Sequence, residues 1–346
     1  MFFIQFLFLF ASTVFLPGAT STFSGHLADT HIHAIPPAYA NALDVAGGDP
    51  SGYPTPAWSI EGTIESLALV GSSYGVLSIS TPGVPIAGVG QTARDLCREL
   101  NIYLANLTSS YPENIGFFGA LPDWRDIDGT IAEIDFLYST QKQAIGIGFY
   151  TSYGDLLPGD PTFKAIWDKL ESYKALAFLH PGVMDVYPRF IGDFLPQPII
   201  DYPQATTRAA VDLVFSGVVS NTPNVDIILS HAGGTLPYFA ERAWGSLLIP
   251  SIENRSAVDS ATAIAQFRNF YYDIALSASP TQLNGLLQNT NPSHVLMGTD
   301  YPYADSTLIA SSNDEYLDFA AAHPEIAAPV LSKNAKVLIE RHAPIN

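Results

Sequence analysis

The run Ala28-Asp29-Thr30-His31-Ile32-His33 holds the residues of this chain best suited to chemistry. Two histidines two positions apart on a strand point to the same face, because side chains alternate with period 2. Neutral imidazole is a common ligand for zinc-like ions, so one strand can offer His31 and His33 to a single ion. Far downstream, His180, His231 and Asp300 each stand at the end of an apolar run. His180, in Phe178-Leu179-His180-Pro181-Gly182, would be costly to bury without a partner and reads as a third histidine ligand. Asp300, in Gly298-Thr299-Asp300-Tyr301-Pro302, reads as the carboxylate ligand, with Tyr301 beside it as a candidate substrate contact. His231, in Leu229-Ser230-His231-Ala232-Gly233-Gly234, is a further ligand or a general acid or base. Three histidines and a carboxylate already crowd a site that must keep an open position, which favours the acid–base role. His26, His294, His323 and His342 fall at strand starts or on outer helices and read as surface or structural residues.

Such scattered residues act together only if the fold gathers them. Eight short apolar runs read as strands, at 27–33, 75–80, 116–121, 144–149, 175–180, 225–231, 270–275 and 294–298. Amphipathic segments alternate with them near 60–69, 91–106, 127–140, 162–173, 205–220, 237–248, 281–288 and 306–322, and a last helix near 327–341 follows. Asp160-Pro161 and Ser279-Pro280 put proline near helix starts, where its missing N–H costs least, and Thr206 and Thr207 are candidate caps. Alternation of this kind predicts a parallel α/β fold, and eight repeats fit a (β/α)8 TIM barrel with an extra C-terminal helix. All five candidate residues then lie at the C-terminal ends of strands, the catalytic face of such barrels. Strand 4 ends Gly146-Ile147-Gly148-Phe149-Tyr150 and carries no lysine to bridge two ions, which argues for one ion.

Composition narrows the partners. The net charge is −18, with only 15 Lys+Arg among 346 residues, against nucleic acid and anionic membrane surfaces. The single cysteine, Cys97, excludes an intrachain disulfide and reads as a small buried hydrophobe. Residues 1–21 read as a secretory signal: the apolar run 2–16 is short for a membrane span and small residues follow, although the segment lacks Lys or Arg before that run. Residues 22–346 read as one barrel domain, in the secretory pathway or secreted and free of the membrane once the signal is removed. The sequons Asn106-Leu107-Thr108 and Asn254-Arg255-Ser256 are compatible with that route.

Taken together, Asp29-Thr30-His31-Ile32-His33, Leu179-His180-Pro181, Ser230-His231-Ala232-Gly233-Gly234 and Gly298-Thr299-Asp300-Tyr301-Pro302 resemble the amidohydrolase superfamily. They are most similar to its branch of 2-amino-3-carboxymuconate-6-semialdehyde, γ-resorcylate and fungal 6-methylsalicylate decarboxylases. The segment Tyr202-Pro203-Gln204-Ala205-Thr206-Thr207-Arg208 also looks typical of that branch. The resemblance implies that His31, His33, His180 and Asp300 bind one divalent ion, Zn2+ or alternatively Mn2+, with no organic cofactor. It implies that His231 stands over the reacting group, and that Arg242, eleven residues on, enters the site of the neighbouring subunit of a homodimer.

One departure bears on the substrate. The muconate-semialdehyde enzyme has an arginine in the loop after strand 1, whereas no Lys or Arg occurs from Ala34 to Gln91 here. The loop 34–58 is rich in Pro, Gly and Ala and carries Tyr39, Tyr53 and Trp58, which suits a small aromatic monoacid. Another loop, 183–202, with Tyr187, Arg189, Phe190 and Phe194, is a candidate wall in which Arg189 could meet a carboxylate. The expected reaction is metal-dependent, non-oxidative decarboxylation of a hydroxybenzoic acid such as 6-methylsalicylate to m-cresol. Either Asp300 or His231 then supplies the proton. Metal-dependent hydrolysis of a lactone or amide, and metal binding without turnover, are the alternatives.

Overall fold

A computed structural model describes residues 27–342, so the apolar run 2–16 and His26 lie outside the described residues. The apolar runs form eight parallel strands: β1 (Leu27–Ala34), β2 (Ser72–Ile79), β3 (Ile115–Gly119), β4 (Gly146–Tyr150), β5 (Leu176–His180), β6 (Asp226–Leu229), β7 (Tyr271–Asp273) and β8 (Val295–Leu296). They pair in sequence order. Bridges from Asp29 to Met297 and from Ile32 to Tyr301 carry the chain after β8 back onto β1, giving the (β/α)8 barrel.

The helices are α1 (Pro37–Ala46), α2 (Ile60–Leu69), α3 (Gln91–Ser110), α4 (Ile127–Asp135), α5 (Lys164–Tyr173), α6 (Gln197–Phe215), α7 (Val218–Asn221), α8 (Leu236–Ser246), α9 (Pro250–Glu253), α10 (Ser260–Asn269), α11 (Pro280–Asn289), α12 (Ser306–Ala322) and α13 (Ala328–His342). Their apolar stripes pack on the outside of the barrel. A smaller cluster that includes Val76, Phe118, Phe178, Ile228 and Leu296 joins Leu338 and Ile339 of α13. That helix crosses the N-terminal ends of the strands: Asn334 donates to the Val295 carbonyl, and His342 meets the Lys174 carbonyl and the Asp226 carboxylate. The extra helix therefore seals the end opposite the expected site. Cys97 is buried and faces the Ala120 carbonyl, as its surroundings predict.

Local chemistry explains where the elements differ from expectation. The Pro- and Ala-rich stretch after β1 contains α1, opened by Pro37 and stopped by Gly47 at φ 87°. Helix α6 starts at Gln197, eight residues early, and runs through Pro203. Thr206 and Thr207 are therefore internal, their hydroxyls bonded to the Tyr202 and Pro203 carbonyls one turn back, and cap nothing. Ser279 caps α11 with Gln282 in a reciprocal box, as the Ser-Pro signal suggested. Strand β6 stops at Leu229, so His231 opens a tight 3-10 turn instead of ending the strand.

Candidate active site

The C-terminal rim gathers His31 and His33 from β1, His180 from β5, and His231 and Asp300 from the turns after β6 and β8. One ligand atom from each of His31, His180, His231 and Asp300 lies within 4.8 Å of the others. His33 joins them directly: its Nε2 is 3.2 Å from Nε2 of His31 and 3.0 Å from Oδ1 of Asp300. Nε2 of His231 stands 3.6 Å from Oδ2 of Asp300. Both His231, at φ 54°, and Asp300, at φ 67°, adopt the left-handed region that non-glycine residues rarely occupy. Such strain is concentrated at functional turns, and here it aims both side chains at one point.

Supporting residues orient the rings. Nδ1 of His31 donates to Oδ2 of Asp273 at 3.0 Å, leaving Nε2 to face the centre. Asp273 is fully buried, and its other oxygen accepts the backbone N–H groups of His231 and Ala275. Nδ1 of His33 meets the Ser78 hydroxyl at 2.9 Å, and Nδ1 of His180 meets the Pro181 carbonyl at 3.0 Å. Asp29 accepts from Thr299 and the His31 N–H, tying β1 to the turn that carries Asp300. Gly298 lets that turn approach: a Cβ there would crowd the Cβ of His31. Sequence reasoning missed Asp29 and Asp273, although Asp273 is an acid in an apolar run, the same signal that exposed His180.

The electrostatics follow from burial and charge. Burial opposes a charged His31, but the Asp273 and Asp300 carboxylates hold its pKa up to about 10. Burial and the neighbouring imidazoles push His180 well below its usual value. Burial also lowers His33, against the pull of Asp300. Asp300 is held well below the usual carboxylate range: burial opposes this, and bonds from His231, His31 and His33 outweigh it. Burial lifts Asp29 to about 7 despite its hydrogen bonds.

Nε2 of His31 converges on Nε2 of His33 at 3.2 Å and on Oδ1 of Asp300 at 3.4 Å. Converging electron-rich atoms of this kind repel one another unless a cation or proton sits among them. The donor set of imidazole and carboxylate suits a first-row divalent metal.

Above this floor opens a cavity of about 1020 Å³, lined by His180, His231 and Asp300 and by the mouth residues Asp49, Tyr53, Tyr202 and Tyr303. The Tyr303 ring packs edge-on against His33, and the Tyr53 hydroxyl donates to the Tyr303 carbonyl. Two expected substrate contacts, Tyr301 and Arg189, are placed elsewhere. The Tyr301 carbonyl accepts the His33 N–H, so its side chain turns outward against α2 at Gly62, and Tyr303, two residues on, faces the cavity instead. Arg189 is exposed and donates to the Pro50 carbonyl, while Tyr187 and Phe194 of the same loop are exposed too. Arg242 is exposed on α8 and makes no ion pair among the described residues.

The family profile described as Amidohydrolase matches residues 28–339. The decarboxylase macB of Penicillium terrestre is 39% identical over 287 residues, covering 80% of this chain and 84% of that protein. The 6-methylsalicylic acid decarboxylase of Penicillium expansum is 37% identical over 278 residues, covering 80% and 85%. A solved dihydroxybenzoic acid decarboxylase from Polaromonas, with bound manganese and 2-nitroresorcinol, superposes with a TM-score of 0.74 at 18% identity, covering 91% of this chain and 97% of that one. On the extent of these matches and the closed eight-stranded barrel beneath them, the chain belongs to the amidohydrolase family.

Proposed function

We propose that this protein is a metal-dependent, non-oxidative decarboxylase of small ortho-hydroxybenzoic acids, of which 6-methylsalicylate is the simplest test compound. The observation that carries this reading is a cation-demanding cluster on the floor of an aromatic-mouthed cavity, in a chain 37% identical to a 6-methylsalicylic acid decarboxylase. His31, His33, His180 and Asp300 would hold one divalent ion. When bound, that ion supplies positive charge to the carboxylate and ortho-oxygen of the substrate. Zinc is favoured by three histidines and one carboxylate, and the manganese in the Polaromonas enzyme keeps Mn2+ as the alternative.

The remaining chemistry belongs to the side chains. Losing CO2 directly from a flat ring is difficult, because the departing electron pair would lie in the ring plane. A proton delivered to the carboxyl-bearing carbon makes it tetrahedral. The C–COO bond then breaks, its electrons restore the aromatic ring, and CO2 leaves. His231 and Asp300 form the acid pair: both line the cavity, and their facing atoms are 3.6 Å apart. Positioned general acids contribute roughly 10²–10⁴-fold.

The reading extends to assembly and location. Arg242 is offered to the site of a second copy in a homodimer, supported by its exposure and by the exposed Tyr238, Phe239, Leu248 and Ile249 along the same segment. Residues 1–21 are a secretory signal ahead of one barrel domain, 22–346. Asn254 is exposed and suits glycosylation on that route, whereas Thr108 of the other sequon is buried within α3. Incubating zinc- or manganese-loaded protein with 6-methylsalicylate should release m-cresol and CO2 in equal amounts. Absence of both products, alongside opening of a lactone, would replace this reading with hydrolysis.

A further inference from the structure

Four residues other than glycine adopt positive φ in the turns that line the cavity: His231 and Ala232 after β6, Leu276 after β7 and Asp300 after β8. The other three such residues among those described do not line it: Lys142 and Lys174 end helical segments, and Asp193 lies in the loop closed by the Ile191–Leu195 bridge. Histidine and aspartate enter the left-handed region more readily than most side chains, whereas a bulky apolar residue there is an outlier. Leu276, at φ 51°, is that outlier.

Folding does not account for it. Residues 270–278 are buried apart from Leu276, which is 39% exposed. The turn closes through backbone groups: the Ser277 N–H donates to the Ile274 carbonyl at 3.0 Å, and the Ala275 N–H to Oδ1 of Asp273 at 3.0 Å. Glycine would make the same turn without strain and without exposed apolar surface. Leucine costs stability on both counts, and strain of this kind that the surroundings hold in place points to function.

The turn is joined to the centre. The carboxylate of Asp273 that accepts the Ala275 N–H also accepts Nδ1–H of His31 and the His231 N–H. A Cβ on Gly298 would stand 2.9 Å from the Cβ of His31 and 3.2 Å from that of Ala275, so the residue before Leu276 packs at the metal floor. Past Leu276 the cavity follows the start of α11, lined by Ala278 and Gly285 with Pro237 of α8 opposite, 3.9 Å from where a Gly285 Cβ would be. Trp244 of α8 and Phe267 of α10 extend this arm. At about 1020 Å³ the whole cavity reaches the top of the range that holds drug-sized ligands, about 300–1000 Å³, and leaves most of the arm empty beside a molecule as small as 6-methylsalicylate.

Resting on the decarboxylase reading, we infer that Leu276 is a specificity-determining residue: it packs against an alkyl substituent of the aromatic acid and leads a chain longer than methyl into the arm between α8 and α11. Each methylene seated in an apolar pocket is worth about tenfold or more in discrimination.

The test measures kcat/KM for salicylate and its 6-methyl, 6-propyl and 6-pentyl derivatives in the metal-loaded protein, in Leu276→Gly and in Leu276→Asn. The glycine removes the strain with the side chain, and the asparagine tolerates the left-handed region but is polar. In the parent protein the 6-propyl acid should exceed the 6-methyl acid by about tenfold or more, and each substitution should pull that ratio towards one, mainly through KM. The melting temperature of Leu276→Gly should not fall. Calorimetry gives a readout independent of turnover: affinity should rise from m-cresol to 3-propylphenol to 3-pentylphenol, and the rise should flatten in both variants. A 6-propyl acid no better than the 6-methyl acid in the parent protein, or a chain-length preference that survives both substitutions, would overturn the inference while leaving decarboxylation standing. So would a destabilised Leu276→Gly with unchanged selectivity, since that marks a structural role. Release of CO2 from none of the acids would overturn the decarboxylase reading instead, and the phenol series would still decide the role of Leu276.

Discussion

Asp273→Asn tests the orientation of the centre without touching a candidate ligand. Oδ1 of Asp273 accepts two backbone N–H groups, from His231 at 3.1 Å and Ala275 at 3.0 Å, while Oδ2 accepts Nδ1–H of His31 at 3.0 Å. An asparagine must keep its oxygen at the first position or abandon both amides. Its NH2 group then faces Nδ1 of His31 and can only donate. His31 must move its proton to Nε2, where an N–H points at the centre in place of a lone pair. Restoring the original tautomer would strand two buried amides at about 1–3 kcal/mol each, more than the tautomer shift recovers. Loss of such an orienting carboxylate lowers metal affinity by about 10–100-fold, which is about 1.4–2.7 kcal/mol. Chelator competition on the apo protein measures the affinity, and nitrogen-15 shifts of His31 report the tautomer. A variant that melts like the parent and binds metal within about twofold of it would refute this reasoning.

Three further outcomes follow from the same geometry. His231→Ala should lower kcat by at least about 10²-fold while retaining the metal; loss of the ion would show that His231 is a ligand. Arg242→Ala should be inactive alone yet regain part of its activity when mixed with His231→Ala, because mixed dimers would contain one intact site; no recovery, in dimers shown to exchange subunits, would exclude a contribution in trans. At the sealed end, burial would raise the pKa of Asp226, but His342 and Arg341 hold it below the usual carboxylate range. A depressed folded-state value contributes stability above the unfolded carboxylate pKa, and that stability is lost as pH falls through the folded one. Asp226→Asn should therefore cost about 1–3 kcal/mol at pH 7, with the difference in denaturant midpoint closing below about pH 4.

The fold was legible because its signals are repetitive. Apolar runs alternate with amphipathic ones, and eight such units leave few architectures other than a barrel. His31 and His33 were legible from their spacing of two on one strand, and His180, His231 and Asp300 because each ends an apolar run, where a polar side chain needs a reason. Residues whose role depends on direction were not. Tyr301 and Tyr303 share one turn, and only the backbone bond from His33 to the Tyr301 carbonyl shows which ring faces the cavity. Arg189 looked suited to a carboxylate, but its loop packs over residues 50–52 and takes the guanidinium to the Pro50 carbonyl. Helix α1 was obscured by composition, since the Pro and Gly that suggest a loop are here its first residue and its stop.

Elemental analysis of the purified protein, coupled to chelation and re-addition, addresses the central claim most directly. The account predicts one divalent ion per chain, loss of CO2 release from ortho-hydroxybenzoates when it is stripped, and recovery with zinc or manganese. Full decarboxylase activity in protein free of stoichiometric metal, unaffected by chelators, would contradict it.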